Sequence, residues 1–359
     1  MLRPGRAGQE SARPIRSILF IRPGGIGDAV LLLPAINAVR AQFQDAEVDL
    51  LCEKRNAGVF DLAKGIRRTY LYDKGSGLLK CLRNDYDAVI DTEQWHRFSA
   101  IAAYCTGARV RIGFNTNERG GLFTHKIAYS HDDYEVRSFM RLIEPLVKTI
   151  NPNGPVTGAE TDIMPALPFI DLSNEGPIPL LPGDFSNEDR LVAIFPGASV
   201  KERRWGGEKF GKTAKALIDK GCRLVILGSV ADRAEAGRIN AYAKDCMDLT
   251  GKTSLRDAAR ILSGCSALIT ADSGLMHIAF AVGTPTVSLF GSGIEKKWGP
   301  RGEGHIILNR RLPCSPCTKF GYTPPCPKNA ECISGISVRE VVEAVEKILN
   351  NPKLKDVTG

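Results

Sequence analysis

The sequence predicts an α/β protein built from two successive units, each a parallel sheet wrapped by helices. Three observations carry this expectation. Short apolar runs alternate with stretches of helical periodicity along both halves of the chain. In each half a strand-like run ends in a glycine turn that opens a helix, Pro23-Gly24-Gly25-Ile26-Gly27-Asp28 in the first and Asp272-Ser273-Gly274 in the second. Between them, from Asn151 to Asp189, Pro152, Pro155, Pro165, Pro168, Pro177, Pro179 and Pro182 fall among Gly, Asn and Asp. The units are therefore expected over 1–165 and 191–359, with 166–190 as linker.

In the first half, Ser17 to Arg22 reads as a buried strand and Ala29 to Phe43 as a helix, with Val30, Leu33, Ala35, Ile36 and Val39 at helical spacing. Glu47 to Cys52 is the next strand. Strands are also expected at Arg67–Leu71, Tyr86–Asp91 and Arg109–Phe114, and a helix at Ser99–Cys105. Asp91-Thr92-Glu93-Gln94 ends one strand in polar residues. Asn115 to His131, polar and Gly-containing, is expected to be a mobile loop. Asp28 can be read as a first-turn acid matched to the helix dipole. The glycines around it also leave it unshielded, which suits a base that must reach a substrate hydroxyl.

The second half starts with the strand Leu191–Phe195 and the turn Pro196-Gly197-Ala198-Ser199, followed by Lys201, Arg203 and Arg204. Helices are expected at Glu208–Lys220, Asp232–Ala243, Leu255–Leu262 and Val338–Leu349, and a strand at Arg223–Leu227. Ala267 to Thr270 is a short apolar run, Leu275 to Val282 a helix, and Thr286 to Phe290 the next strand. Ligands of open parallel sheets bind beyond the carboxyl ends of strands, where a helix N-terminus offers unpaired N–H groups to phosphate. For Asp272-Ser273-Gly274 alone, a simple helix cap is the competing reading. His277 lies four residues beyond Ser273, on the same helix face.

Composition narrows the function classes. Apolar residues make up 43% and charged residues 25%, as in a globular protein with ample core. No apolar run reaches the length of a membrane span, and the basic, polar first residues lack a signal-peptide core, so a cytoplasmic location is expected. A net charge of +8 fits an anionic substrate or membrane surface; nothing resembles an aromatic platform for nucleic acid, and no nucleic-acid partner is expected. Lys64, Arg67 and Arg68 read as a solvated face that could also hold acceptor charge. Of the ten cysteines, Cys314, Cys317, Cys326 and Cys332 cluster. C-x-x-C with two further cysteines is the framework of a structural zinc site, but the second pair is spaced C-x5-C, and reduced structural thiols are the default reading.

Nearly the whole chain resembles glycosyltransferase family 9, the ADP-heptose:lipopolysaccharide heptosyltransferases. The signatures are R-P-G-G-I-G-D-A-V-L-L-L-P-A, G-A-R-V-R-I-G-F, F-P-G-A-S with R-R-W, A-D-S-G-L-M-H-I-A-F-A-V-G-T-P and C-S-P-C…C-P…C-I, in that order. The resemblance implies the GT-B fold, two Rossmann-like domains facing across a cleft, and an inverting transferase with an ADP-sugar donor and a lipid-linked glycan acceptor. It further implies peripheral contact with the cytoplasmic face of the inner membrane. Asp28 takes the position of the general base, with Arg22, Gly24, Gly25 and Gly27 on the acceptor side. Arg203 stands where the family usually has a lysine touching the donor phosphate, and Asp232 where a glutamate commonly contacts the nucleoside. Asp272, Ser273, Gly274 and His277 are expected to line the diphosphate and nucleotide. The chain departs from the family pattern at Phe195, often a histidine, and in the D-T-E-Q-W-H stretch.

The chemistry agrees. Transfer from a nucleotide-diphosphate sugar needs a base for the acceptor hydroxyl and, opposite it, donors for the leaving charge; that arrangement implies inversion. No D-x-D carboxylate pair stands beside the phosphate site, so neither a metal nor a cofactor is expected. A nicotinamide or flavin oxidoreductase is disfavoured by the missing G-x-G-x-x-G, and a silent nucleotide-sugar binder by the retained Asp28. Donor binding is expected to close the halves about a hinge near Gly158.

Overall fold

The computed structural model describes residues 14–149, 166–172 and 190–355. The chain divides into two compact units, Met1–Pro165 and Ala166–Gly359. The expected hinge near Gly158 lies outside the described residues, as does most of the expected linker. The described part of that linker, 166–172, packs on the second unit: the Phe169 and Ile170 N–H groups donate to Ala281 O, and the Phe169 ring meets Phe280 edge-on.

The first unit runs β1 (Ser17–Arg22), α1 (Ile26–Gln42), β2 (Glu47–Cys52), α2 (Lys54–Phe60), β3 (Ile66–Leu71), α3 (Gly77–Leu82), β4 (Ala88–Asp91), α4 (Arg97–Cys105), β5 (Val110–Phe114), β6 (His125–Ile127) and α5 (Glu135–Lys148). Its six strands lie in the order β3-β2-β1-β4-β5-β6, and every neighbouring pair is parallel. Strand β1 is central and its last five residues are buried, as an apolar strand covered on both faces should be. Helix α1 follows it into the core, and every residue from Ala29 to Ile36 is buried. The mobile loop expected over 115–131 is corrected. It holds a 3-10 turn (Arg119–Leu122) and the edge strand β6, which pairs Ile112 with His125. Its polarity misled because β6 is short and largely exposed.

The second unit runs β7 (Leu191–Phe195), α6 (Gly207–Ile218), β8 (Arg223–Ile226), α7 (Arg233–Asn240), β9 (Met247–Asp248), α8 (Leu255–Ser263), β10 (Ala267–Ala271), α9 (Gly274–Ala281) and β11 (Thr286–Phe290). Then come α10 (Glu295–Trp298), β12 (His305–Asn309), α11 (Glu331–Ser334), α12 (Val338–Leu349) and α13 (Pro352–Lys355). This sheet is also parallel, in the order β12-β11-β10-β7-β8-β9. The helix expected over Asp232–Ala243 is shorter, because Asp232 belongs to a 3-10 turn (Val230–Asp232) ahead of α7. Val192, Ile194, Ile269 and Leu289 from the strands meet Phe210, Leu217, Val341 and Val345 from α6 and α12 in one apolar cluster.

Both sheets share one consequence of topology. The chain winds outward from β1 through β2 to β3, then returns to β4 on the other side; it does the same from β7 through β9 and back to β10. Each sheet thus has a switch point, between β1 and β4 and between β7 and β10, where loops diverge and open a crevice at the carboxyl ends. The glycine turns singled out in the sequence leave β1 and β10 at these two points.

Candidate active site

In the first unit, β1 ends at Arg22, whose side chain is buried rather than turned out towards an acceptor (1% exposed). Its guanidinium is held on several sides. Nη1 donates to Thr92 O at 2.8 Å, Nε donates to Pro23 O, and the group lies over the Phe139 ring at 5.7 Å. Nη2 lies 3.5 Å from Asp28 Oδ2 and 3.8 Å from Glu93 Oε2. Gly24 is required here: its φ is +100°, and a Cβ would stand 2.9 Å from Arg22 Nη2. Asp28, in the first turn of α1, keeps its side chain 23% exposed. It is the partly open member of an otherwise buried charge cluster.

Glu93 was noted in the sequence only as part of a polar strand end. Its carboxylate accepts from the Trp95 N–H at 2.9 Å and the His96 N–H at 3.2 Å. Burial works to raise this carboxyl, but Arg22 and the two N–H groups outweigh it and hold it below the usual carboxylate range. Behind it, Arg119 and Asp91 form a fully buried ion pair at 2.6 Å. Tyr129 and Glu135 complete the surroundings. The Tyr129 hydroxyl donates to Glu135 Oε2 at 3.4 Å, and burial, then Glu135 and Asp28, push the phenol pKa up.

In the second unit, the loops after β7, β8, β10 and β11 converge on one rim. Asp272 follows β10 and is 5% exposed; Arg203 Nη1 reaches its Oδ2 at 2.9 Å. The contact is an ion pair outside hydrogen-bond geometry, since Asp272 Oδ2 makes no hydrogen bond within the protein. His277, one turn into α9, is buried and feels both charges; burial, only partly opposed by Asp272, lowers its pKa to about 4, so the ring is neutral. Its Nδ1 also lacks a hydrogen-bond partner, as do the buried Arg203 Nε, Thr250 Oγ1 and Ser292 Oγ. Buried polar atoms are normally paired, and such a concentration at a switch point is what a polar ligand site requires.

Ser273 caps α9, as the simpler reading had it. Its hydroxyl accepts from Met276 N at 3.4 Å and meets Thr270 Oγ1 at 2.9 Å. What the turn offers an anion is therefore the first N–H groups of α9, beginning at Gly274. Asp232 comes to the rim from the β8 loop. Its Oδ2 accepts from Ser229 N and Oγ, and a Cβ on Gly197 would stand 2.3 Å from its Oδ1. Gly293, in the turn after β11, was not anticipated: a Cβ there would stand 2.0 Å from Asp272 Oδ2. Gly291-Ser292-Gly293, directly after a strand, was the available signal.

The cysteine-rich loop buttresses this rim. Cys317 and Thr318 N–H groups donate to Ser292 O, and Arg203 Nη2 donates to Thr318 Oγ1 at 3.3 Å. Cys314, Cys317, Cys326 and Cys332 are free thiols; burial first, then the neighbouring cysteines, raise the pKa of Cys317 and Cys332. Among the described residues no group of three or more His, Cys, Asp or Glu is arranged to hold a metal ion. Nor, among them, is any helix long and apolar enough to cross a membrane.

The profile of glycosyltransferase family 9 (heptosyltransferase) matches residues 77–326, a span that takes in Arg203, Asp232 and Asp272 to His277 and starts beyond Asp28. Lipopolysaccharide heptosyltransferase 3 of Escherichia coli K12 is 27% identical over 348 residues, covering 90% of this chain and 95% of that protein. Lipopolysaccharide heptosyltransferase 2 of Salmonella typhimurium is 26% identical over 292 residues, covering 76% and 82%. Among solved structures, the E. coli ADP-heptose lps heptosyltransferase II superposes with a TM-score of 0.71 at 21% identity, covering 93% of this chain and 98% of that one. An E. coli heptosyltransferase solved with ADP gives 0.68 at 17%, covering 92% and 97%. The structural likeness identifies the fold, GT-B.

Proposed function

Because the chain belongs to glycosyltransferase family 9, the heptosyltransferases, we propose that it moves a heptose, or a closely related sugar, from an ADP-sugar to a lipid-linked lipopolysaccharide core, with inversion and without a metal. That it is a glycosyltransferase follows from the family. The donor, the inversion and the metal-free charge compensation are the proposal, supported by the residues found at each switch point.

The observation that carries the reading is the partly open Asp28 carboxylate beside buried Arg22, 3.5 Å away. Arg22 orients the carboxylate, and the glycines that precede it, Gly24, Gly25 and Gly27, leave room for a sugar hydroxyl. Asp28 takes the proton as the acceptor oxygen attacks the anomeric carbon. The C–O bond to the diphosphate breaks on the opposite face, so the configuration inverts. The departing ADP gathers negative charge, which Arg203 and the N-terminus of α9 stabilise. Asp272 fixes Arg203 at 2.9 Å, and neutral His277 is placed to hydrogen-bond a ligand oxygen or nitrogen through Nδ1. Asp232 is suited to accept from the ribose hydroxyls. The positive groups are protein-borne, which is the support for a metal-free reaction. Relatives solved with ADP and with ADP-2-deoxy-2-fluoro heptose favour an adenine nucleotide donor.

The test is transfer from ADP-heptose to heptose-deficient core lipopolysaccharide in EDTA, with the new linkage assigned by NMR. Product with inverted configuration in EDTA is expected. Turnover only after a divalent ion is restored would overturn the metal-free reading, and retention would remove Asp28 as the base. Competition by GDP but not ADP would reassign the donor.

A further inference from the structure

Four consecutive carbonyls in the loop after β4 each accept a hydrogen bond from a side chain of another segment. Arg22 Nη1 donates to Thr92 O, Arg119 Nη1 to Glu93 O, Thr116 Oγ1 to Gln94 O and Asn117 Nδ2 to Trp95 O. Three of these four donors come from one short stretch, 116–119, between β5 and β6. Arg97 returns the contact, its Nε donating to Asn117 O at 3.0 Å. Asn117 and Glu118 take left-handed backbone, with φ of +45° and +59°, a conformation that a glutamate seldom adopts unless its surroundings impose it. A loop that served only as a connection would leave such carbonyls to water.

Arg119 holds the centre of this harness, and its side chain and that of Asp91 are both fully buried. Nη2 donates to Asp91 Oδ2 at 2.6 Å, while Asp91 Oδ1 accepts from the Glu93 N–H at 3.0 Å. The pair therefore grips Glu93 at both its N–H and its C=O, the forked guanidinium serving two partners at once. Stability does not account for the arrangement. Burial, only partly opposed by Arg119, raises the Asp91 carboxyl above the usual carboxylate range, so keeping it ionised costs free energy at neutral pH. Arg119 Nε, moreover, makes no hydrogen bond within the protein. What the pair does fix is Glu93, whose carboxylate stands 3.8 Å from Arg22 Nη2, itself 3.5 Å from Asp28 Oδ2.

We propose that Arg119, paired with Asp91, is a positioning residue for sugar transfer: it holds the Glu93 peptide in place and, through Glu93 and Arg22, the Asp28 carboxylate. The inference rests on the reading of Asp28 as the base. Arg119 touches neither the sugar nor the nucleotide in this account, and its whole effect passes through Asp28.

The test is transfer from ADP-heptose by Arg119→Lys, alone and combined with Asp28→Asn, with melting temperature measured alongside. A lysine keeps a cation beside Asp91 but cannot also reach the Glu93 carbonyl with a second arm. The single variant should lose about tenfold or more in kcat, the scale for a misplaced reacting group, with KM for ADP-heptose within about twofold of the wild type. In the Asp28→Asn background the same substitution should cost nothing further, because the group it positions is already gone. Asp91→Leu with Arg119→Met replaces the ion pair by apolar side chains and should show the same kcat loss, which carries the test if Arg119→Lys melts early. Wild-type kcat in a folded variant would overturn the proposal, as would a loss that multiplies onto that of Asp28→Asn. Unfolding of both replacements would assign the pair to stability and overturn it too. Asp28→Asn with unchanged kcat would instead remove the base reading, and this inference with it, whereas wild-type kcat in Arg119→Lys beside an impaired Asp28→Asn would remove the positioning role alone.

Discussion

Arg22 Nη2 stands 3.5 Å from Asp28 Oδ2 and 3.8 Å from Glu93 Oε2, one buried cation serving two carboxylates from loops on either side of the first switch point. The two acids are not equivalent. Glu93 is 7% exposed and held by two backbone N–H groups, whereas Asp28 is 23% exposed. Glu93 anchors the guanidinium, and the guanidinium presents Asp28.

Asp28→Asn is therefore expected to keep the fold and ADP affinity while lowering kcat by about a hundredfold or more, the scale for losing a positioned base. An unchanged kcat would remove Asp28 from the chemistry. Arg22→Met should behave differently, because it leaves Glu93 buried without its cation. It should destabilise the first unit by about 3–5 kcal/mol in denaturant unfolding. A loss below about 1 kcal/mol would mean that Glu93 is already satisfied by the Trp95 and His96 N–H groups.

Arg203→Ala should weaken ADP binding by roughly 1.5–3 kcal/mol in calorimetry, the range for hydrogen bonds to a charged group. Arg203 is 15% exposed and its Nε makes no hydrogen bond within the protein, so a phosphate there would meet a donor that is already desolvated. Wild-type affinity in this variant would shift the clamp to Lys201, which is exposed two residues earlier in the same 3-10 turn.

Much of this was legible in the sequence where function depends on local pattern. The glycine turns at 23–28 and 272–274 announce themselves because a strand, a glycine and a helix start occur within a few residues. What joins distant segments was not legible. Arg22 finds Glu93 because parallel neighbours β1 and β4 come from residues far apart in the chain, and Arg119, just beyond β5, finds Asp91 because β5 lies beside β4. Edge strand β6 was missed for a related reason: its polar pattern is that of an exposed edge, which sequence alone does not separate from a loop. Helix α4 was expected, but a run of alanine and large apolar residues does not say which of its faces meets the sheet.

Two histidines, buried His277 and half-buried His305, give the second unit a defined acid limb. His277 and His305 both have pKa values lowered to about 4, chiefly by burial. Between pH 6.5 and 4 the unfolded chain binds protons at these sites and the folded chain does not. Stability conferred by the neutral rings is thus present at pH 7 and lost as pH falls, by about 1.4 kcal/mol per pH unit for each group. His305 lies outside the candidate site, where Nδ1 meets Thr286 Oγ1 at 3.0 Å, so His305→Gln isolates the effect. On going from pH 7 to pH 4.5 the wild type should lose about 2–3 kcal/mol more unfolding free energy than this variant. Parallel losses in the two proteins would show that His305 is not held neutral.

Gly293 offers the sharpest test of the donor rim, because it acts through space and carries no chemistry of its own. A Cβ at this position would stand 2.0 Å from Asp272 Oδ2, far inside van der Waals contact. The obstacle is a carboxylate and not backbone, so the clash can be relieved by rotating Asp272 away. That rotation breaks the 2.9 Å pairing with Arg203 and leaves both charges buried without each other. Gly293→Ala should accordingly weaken ADP binding by about tenfold or more, through loss of the oriented guanidinium. Gly293 has no positive φ, so the substitution adds no backbone strain and the fold should survive. Gly121→Ala, where a Cβ meets nothing within 4 Å, is the matched control and should bind ADP as the wild type does. Normal ADP affinity in Gly293→Ala would show that Asp272 does not hold Arg203 for the donor. An affinity loss matched in Gly121→Ala would trace the effect to something other than the rim.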